Sequence, residues 1–183
     1  MIDFENNIMV DIETFGNVSR SAIATIGAIK FNLKTGKTGE AFYKQIDLDS
    51  CMALGLRCSG NTIKWWLQQP KVAQDMLFAD KETVSIQDAL ISFATFCEGD
   101  YNIWGNSPRF DLGILRDAYE LMDKPIPWSF RKELDVRTIV ALEPRIKQDY
   151  PQMGTLHHAL SDCITQIGYL SETFNRMVRL DLE

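Results

Sequence analysis

At 183 residues, 45% hydrophobic and 24% charged, the chain is long enough to bury one full core without disulfides or a structural metal. A formal net charge of -6 excludes a protein that grips nucleic acid mainly through a broad basic surface, but not an enzyme that holds a strand end by metals and local contacts. Cys51, Cys58, Cys97 and Cys163 form no CxxC pair and the only two histidines, His157 and His158, are adjacent, so no zinc site is expected. The acidic stretch Met1 to Asn7 lacks signal-peptide character and no apolar run approaches membrane-spanning length, which predicts a reduced, cytoplasmic setting with no membrane partner.

Asn7 to Glu13 reads as a buried strand, with Ile8, Met9, Val10 and Ile12 supplying the apolar run and Asp11 and Glu13 planted inside it. Alternation along a strand points both acids to one face, where they repel unless a cation lies between them. Hard oxygen ligands of this kind suit Mg²⁺ or Mn²⁺ better than zinc. Alone, such a pair more often simply ends a strand and faces water. Phe15-Gly16-Asn17 makes a turn, Ala22 to Leu33 a second strand, Lys34 to Lys37 a hairpin turn and Glu40 to Ile46 a third strand, together an antiparallel meander. Asp47-Leu48-Asp49 lacks the glycine and later acid of a calcium loop and is expected to be solvated loop.

Asn61 is expected to cap a helix through Leu67, and Pro70 to open another through Leu77. Trp65 and Trp66, turned by about 100°, cannot both face one way; one should pack on the sheet, the other serving as core or as a stacking surface for a base. Ser85 with Asp88 reads as a capping box before the apolar face Ile86, Ala89, Leu90, Phe93 and Phe96. Tyr101 to Gly105 makes a short strand, and Asp111 falls near the start of the next helix, where an acid serves a site or steadies the helix equally well. Asp135 to Val140 begins a short helix, Glu143 to Gly154 reads as a polar mobile loop, and the last helix runs from His157 to Leu180. Helical positions five apart are separated by about 140°, so His157 and Asp162 meet only if the histidine sits at the helix entrance. Strands first, then helices with a further strand, predict an α/β domain with a mixed sheet.

Asp11-Ile12-Glu13, then Asp111 at the end of Gly105-Asn106-Ser107-Pro108-Arg109-Phe110-Asp111, then His157-His158-Ala159-Leu160-Ser161-Asp162, occur in an order that resembles the DEDDh group of DnaQ-like 3'-5' exonucleases. Within that group the chain is most similar to the phage and prophage 3'-5' exonucleases and the mycobacterial-type exoribonuclease AS family. Asp11 to Asn17, Thr62 to Leu67, Trp104-Gly105-Asn106 and Asp135 to Ile139 carry the likeness further, so it covers residues 1–183 as one exonuclease domain.

The resemblance implies a ribonuclease H-like fold, an α/β architecture whose mixed central β-sheet is flanked by helices. It implies two divalent ions, Mg²⁺ or Mn²⁺, held by Asp11, Glu13, Asp111 and Asp162, with His157 as general base and no chemistry for His158. Thr14, Phe15, Trp66 (or Trp65) and Asn106 are expected around the terminal nucleotide, Thr14 by hydrogen bonding and Phe15 by packing on sugar or base. The expected partner is the 3' end of single-stranded DNA or RNA, and a homodimer is compatible with the reading. Two rivals stand beside it. A ribonuclease H-like endonuclease would, by the resemblance, not combine the first DxE with the terminal HxAxxD, and a noncatalytic nucleic-acid-binding domain would tolerate loss of acids and carry a more basic face.

Overall fold

The structure, a computed structural model, describes residues 4–78 and 82–180, so Met1 to Asp3 of the acidic N-terminal stretch lie outside it. Five strands, β1 (Asn7–Thr14), β2 (Ile23–Phe31), β3 (Thr38–Gln45), β4 (Asn102–Gly105) and β5 (Glu133–Asp135), form one sheet in the order β3-β2-β1-β4-β5. The first three make the expected antiparallel meander, whereas β1, β4 and β5 run parallel. The helices are α1 (Leu48–Leu54), α2 (Gly60–Trp66), α3 (Lys71–Phe78), α4 (Ile86–Phe96), α5 (Asp111–Leu121), α6 (Val136–Val140), α7 (Pro144–Asp149) and α8 (Ala159–Leu180).

Alternation along β1 divides the core in two. Ile8, Val10 and Ile12 enter the larger cluster with residues of α4 and α5, while Met9 enters a second cluster with Cys163, Ile167 and Leu170 of α8. Asp11 and Glu13 follow Met9 on the α8 face, at the end of the strand. The site is therefore set by periodicity: once Met9 is buried under α8, the acids two and four residues on must point toward the entrance of that helix.

Three local expectations are corrected and one strand is added. Asp47-Leu48-Asp49 is not loop, because Asp47 accepts the Asp49 N–H at 3.2 Å as cap of α1, which Gly55 ends in the left-handed region. Ser59, not Asn61, caps α2, accepting the Thr62 N–H at 3.4 Å. Pro144 opens α7 inside the stretch expected to be irregular, and its buried Ile146 joins the α8 cluster. Glu133–Asp135 becomes β5 by pairing with β4, a three-residue strand with no pattern of its own. Ser85 caps α4 as expected, accepting the Asp88 N–H at 3.1 Å. No helix among the described residues is long and apolar enough to cross a membrane, and the four cysteines are free thiols.

Candidate active site

β1 outruns its parallel neighbour: pairing with β4 ends at Val10 opposite Gly105, so Ile12 has no strand partner on that side. Asp111, the first residue of α5 and only 3% exposed, occupies the gap, accepting N–H bonds from Ile12 and Ser107 at 3.4 Å each. Crevices beyond the carboxyl ends of parallel strands, where the order of strands reverses, are where such sheets bind ligands. On the other side, the first turn of α8 brings Asp162 in, its Oδ1 accepting from Gln152 Nε2 at 2.8 Å. Gln166, one turn further, donates through Nε2 to Asp11 Oδ1 at 2.8 Å.

His157 precedes α8 and adopts a positive φ of 61°, a conformation uncommon for a residue with a Cβ. One ligand atom each from Glu13, His157 and Asp162 lies within 4.8 Å of the others. The rings of Trp65 and Trp66 meet the imidazole edge-on at centroid distances of 5.1 and 5.8 Å. Asp11, Glu13, Asn106, Asp111, His157 and Asp162 all line one cavity of about 510 Å³. A second cavity of about 400 Å³, lined by Thr14, Trp65 and Trp66, shares Ile12, Glu13 and Phe110 with the first.

Burial is the main force on these carboxyls, and repulsion by neighbouring carboxylates adds to it at Asp11 and Glu13. Asp11 is held well above the usual carboxylate range by burial, then by Asp111, Glu13 and Asp162, with the Gln166 hydrogen bond opposing. Burial, then Asp162 and Asp111, push Glu13 up to about 8. Asp111 reaches about 7 through burial, despite the N–H groups that favour its charged form. Asp162 is raised by burial too, against the Gln152 hydrogen bond and His157. The residues present fit divalent cations: the donors are hard carboxylate oxygens, the His157 imidazole stands beside them, and the buried Gln166 Oε1 has no hydrogen-bond partner.

A pH dependence of stability follows. Each acid holds its proton more tightly folded than unfolded, so stability is fully present below the unfolded carboxylate pKa of about 4 and is lost as pH rises through the raised folded values, about 7 for Asp111 and about 8 for Glu13. The metal-free protein is expected to melt at higher temperature near pH 5 than near pH 8, and added Mn²⁺ is expected to narrow the gap by stabilising the charged site. Calorimetric scans in EDTA and in Mn²⁺ check this; a gap that ignores the cation contradicts it.

Two substrate-side expectations change. Phe15 closely follows the acid pair in sequence, but β1 ends at Thr14 and Phe15 stands in the bend beyond it, where its ring enters the opposite core with Ile8, Val10 and Ile12. Phe15 is 5% exposed, with its ring 5.7 Å from that of Phe78, and lines neither cavity, so it packs on protein rather than on sugar or base. Trp66 is 1% exposed and donates its indole N–H to the Thr14 carbonyl at 2.9 Å, whereas Trp65 is 42% exposed; the accessible stacking surface belongs to Trp65. The Thr14 hydroxyl donates to the Gly16 carbonyl at 2.5 Å, and Asn106 Oδ1 accepts from the Tyr169 hydroxyl at 3.5 Å. Arg137, Lys147, Gln152, Gln166 and Tyr169 line the larger cavity without having been singled out from sequence. A signal existed for two of them: Asp162, Gln166 and Tyr169 stand at i, i+4 and i+7 on one face of α8.

Comparison with known proteins bears on the fold and the family. The chain resembles cell-death related nuclease 4 (CRN-4), with TM-score 0.69 and 16% identity over 95% of this chain and 65% of that one. It resembles E. coli exonuclease I in the zinc-bound complex with single-stranded DNA (0.72, 18%, 96% of this chain and 42% of that one). It also resembles the nuclease domain of 3'hExo, a DEDDh family member bound to rAMP (0.60, 13%, 96% and 92%). The chain thus spans 65% of the length of the first of these and 42% of the second. These likenesses show the ribonuclease H-like fold of the DEDDh exonucleases. No curated protein sequence matches significantly. The family described as 3'-5' exoribonuclease Rv2179c-like domain matches residues 6–174, a span holding every acid of the cavity, and the chain belongs to that family.

Proposed function

We propose that the chain is a divalent-cation-dependent 3'-5' exonuclease that releases nucleoside 5'-monophosphates from the 3' end of single-stranded DNA or RNA. The observation that carries this is the convergence of Asp11, Glu13, Asp111, Asp162 and His157 on one cavity, in a chain of this family. Asp11, Glu13, Asp111 and Asp162 would hold two Mg²⁺ or Mn²⁺ ions, which supply activation of the attacking water and stabilisation of the leaving oxygen. His157 takes the proton of the water. The water oxygen bonds to phosphorus, the bond from phosphorus to the upstream 3' oxygen breaks, and that oxygen leaves with a proton, so the phosphate stays on the released nucleoside. The terminal nucleoside occupies the smaller cavity, where Trp65 offers a stacking face worth about 1–3 kcal/mol and both indole edges restrain His157. Exonuclease I with single-stranded DNA and 3'hExo with rAMP support a nucleic-acid end as substrate. The free thiols accord with a reducing, cytoplasmic setting.

Matched 3'-labelled DNA and RNA oligomers, single- and double-stranded, test the proposal in Mg²⁺, Mn²⁺ and EDTA. Mononucleotide release with a cation and none in EDTA is expected. Release that persists in EDTA, or no cleavage of either sugar by the folded protein, overturns it.

The geometry also makes one glycine a lever on turnover. Gly27 of β2 lies opposite Asp11 of β1, and a Cβ there would stand 2.6 Å from Ala159 Cβ and 2.8 Å from the Ala159 carbonyl carbon. Gly27→Ala is expected to displace the entrance of α8, and with it Asp162 and His157. Overpacking of this kind costs about 1–3 kcal/mol, and a misplacement of about 1 Å can cost roughly 100-fold in rate. Melting temperature and turnover measured together check it; an unchanged rate would show that α8 is not held against the sheet at this point.

A further inference from the structure

The larger cavity holds two cations that the reaction as described does not use. Arg137, on α6, and Lys147, on α7, line it together with Asp11, Asp111 and Tyr169. Both helices are anchored from beneath: Val136, Val140 and Ile146 are buried in the cluster with Cys163, Ile167 and Leu170 of α8. The two side chains therefore project from a packed base rather than from a free loop. Lys147 Nζ lies 5.3 Å from the centre of the Tyr169 ring.

Among the described residues neither cation makes an ion pair, although four carboxylates line the same cavity and the chain carries a net charge of -6. Arg137 is close enough to Lys147 to depress the lysine's proton affinity, an effect second to burial. Arg137 also lowers the proton affinity of Asp111, but no carboxylate reaches ion-pair distance of either cation among the described residues, which leaves both able to take an anion that arrives from outside. The smaller cavity, by contrast, is lined by no lysine or arginine.

The two cavities meet at Ile12, Glu13 and Phe110. With the terminal nucleoside in the cation-free cavity and the scissile phosphate at the shared acidic wall, the strand continues into the larger cavity. We infer that Arg137 and Lys147 bind the phosphodiester immediately upstream of the scissile one and set the register of the strand. The inference rests on the exonuclease reading above. It makes the preferred minimal substrate a dinucleotide carrying a 5'-phosphate rather than one with only its internal linkage.

Wild type, Arg137→Gln and Lys147→Gln are compared on three substrates: an oligomer, the same oligomer with a neutral methylphosphonate at the upstream linkage, and the nitrophenyl ester of thymidine 5'-monophosphate. The last contains a scissile ester and no upstream phosphate. On the oligomer each variant is expected to lose at least about tenfold in kcat/KM, as for a hydrogen bond to a charged group, with melting temperature unchanged. On the nitrophenyl ester each variant is expected to lose several-fold less than on the oligomer, and the methylphosphonate should slow wild type while costing the variants little more. Equal losses on ester and oligomer would place the cations at the scissile phosphate and overturn the inference, as would a methylphosphonate penalty equal in wild type and variants. A wild type that cleaves none of the three in Mg²⁺ or Mn²⁺ overturns the exonuclease reading instead, and the inference with it.

Discussion

Asp11→Ala should lower turnover by at least about 10³-fold, the several kcal/mol that charge stabilisation by bound cations supplies, while the protein stays folded. Asp11 lies on the central strand between Asp111, Glu13 and Asp162, so the cation site cannot assemble around the remaining three in the same way. The fold survives because the core on that face is made by Met9 and α8, not by the carboxyl. Removing a buried acid that repels three others relieves strain in the absence of metal, so metal-free Asp11→Ala is expected to melt above metal-free wild type near pH 8. Asp162→Ala should be similarly inactive. Near-normal turnover in a folded Asp11→Ala protein would remove the carboxylates from the chemistry.

His157→Asn is expected to cut turnover by roughly 10²–10⁴-fold, the contribution of a positioned general base, with cation and nucleic-acid binding largely kept. His158→Asn should stay close to wild type. The two neighbours are used differently. His157 lines the larger cavity beside Glu13 and Asp162, whereas the ring of His158 stacks on Tyr43 at 5.0 Å and 16° and its Nδ1 accepts the Ser161 N–H at 3.4 Å. His158 thereby acts on the first turn of α8, a service that asparagine can continue. Turnover at saturating cation separates them: it should fall in His157→Asn and stay near wild type in His158→Asn, and the reverse would show that the base is the other histidine.

Strand periodicity alone places the first acid pair, whereas Asp111, His157 and Asp162 are assigned to the same site by the resemblance to the DEDDh group. The apolar run Ile8, Met9, Val10 and Ile12 located β1 to within one residue at its end, and the two-residue period put Asp11 and Glu13 on one face. The condition that His157 stand at the entrance of the last helix is met by its positive φ before Ala159. What escaped depends on contacts the chain makes far from itself. Phe15 is expected at the pocket because it closely follows the acid pair, but it lies in the bend beyond β1, and no local pattern announces that this bend turns its ring into the opposite core. Ser59 and Asn61 are both good caps; the hydrogen bond from the Ser59 N–H to the Phe15 carbonyl accompanies the choice of the first. Lys147 lay in a stretch without apolar period, on a helix whose single buried residue, Ile146, finds its partners on α8. β5 takes its strand character from β4 alone.

Hydrolysis of a 5'-labelled oligomer in water enriched in ¹⁸O tests the central claim most directly, because it reads direction, bond cleaved and nucleophile at once. The arrangement of Asp11, Glu13, Asp111, Asp162 and His157 predicts shortening one nucleotide at a time from the 3' end. It predicts one ¹⁸O in the 5'-phosphate of each released mononucleotide, and neither product from Asp11→Ala. Internal fragments, 3'-phosphate products, or labelled mononucleotide released at the wild-type rate by folded Asp11→Ala would contradict the account.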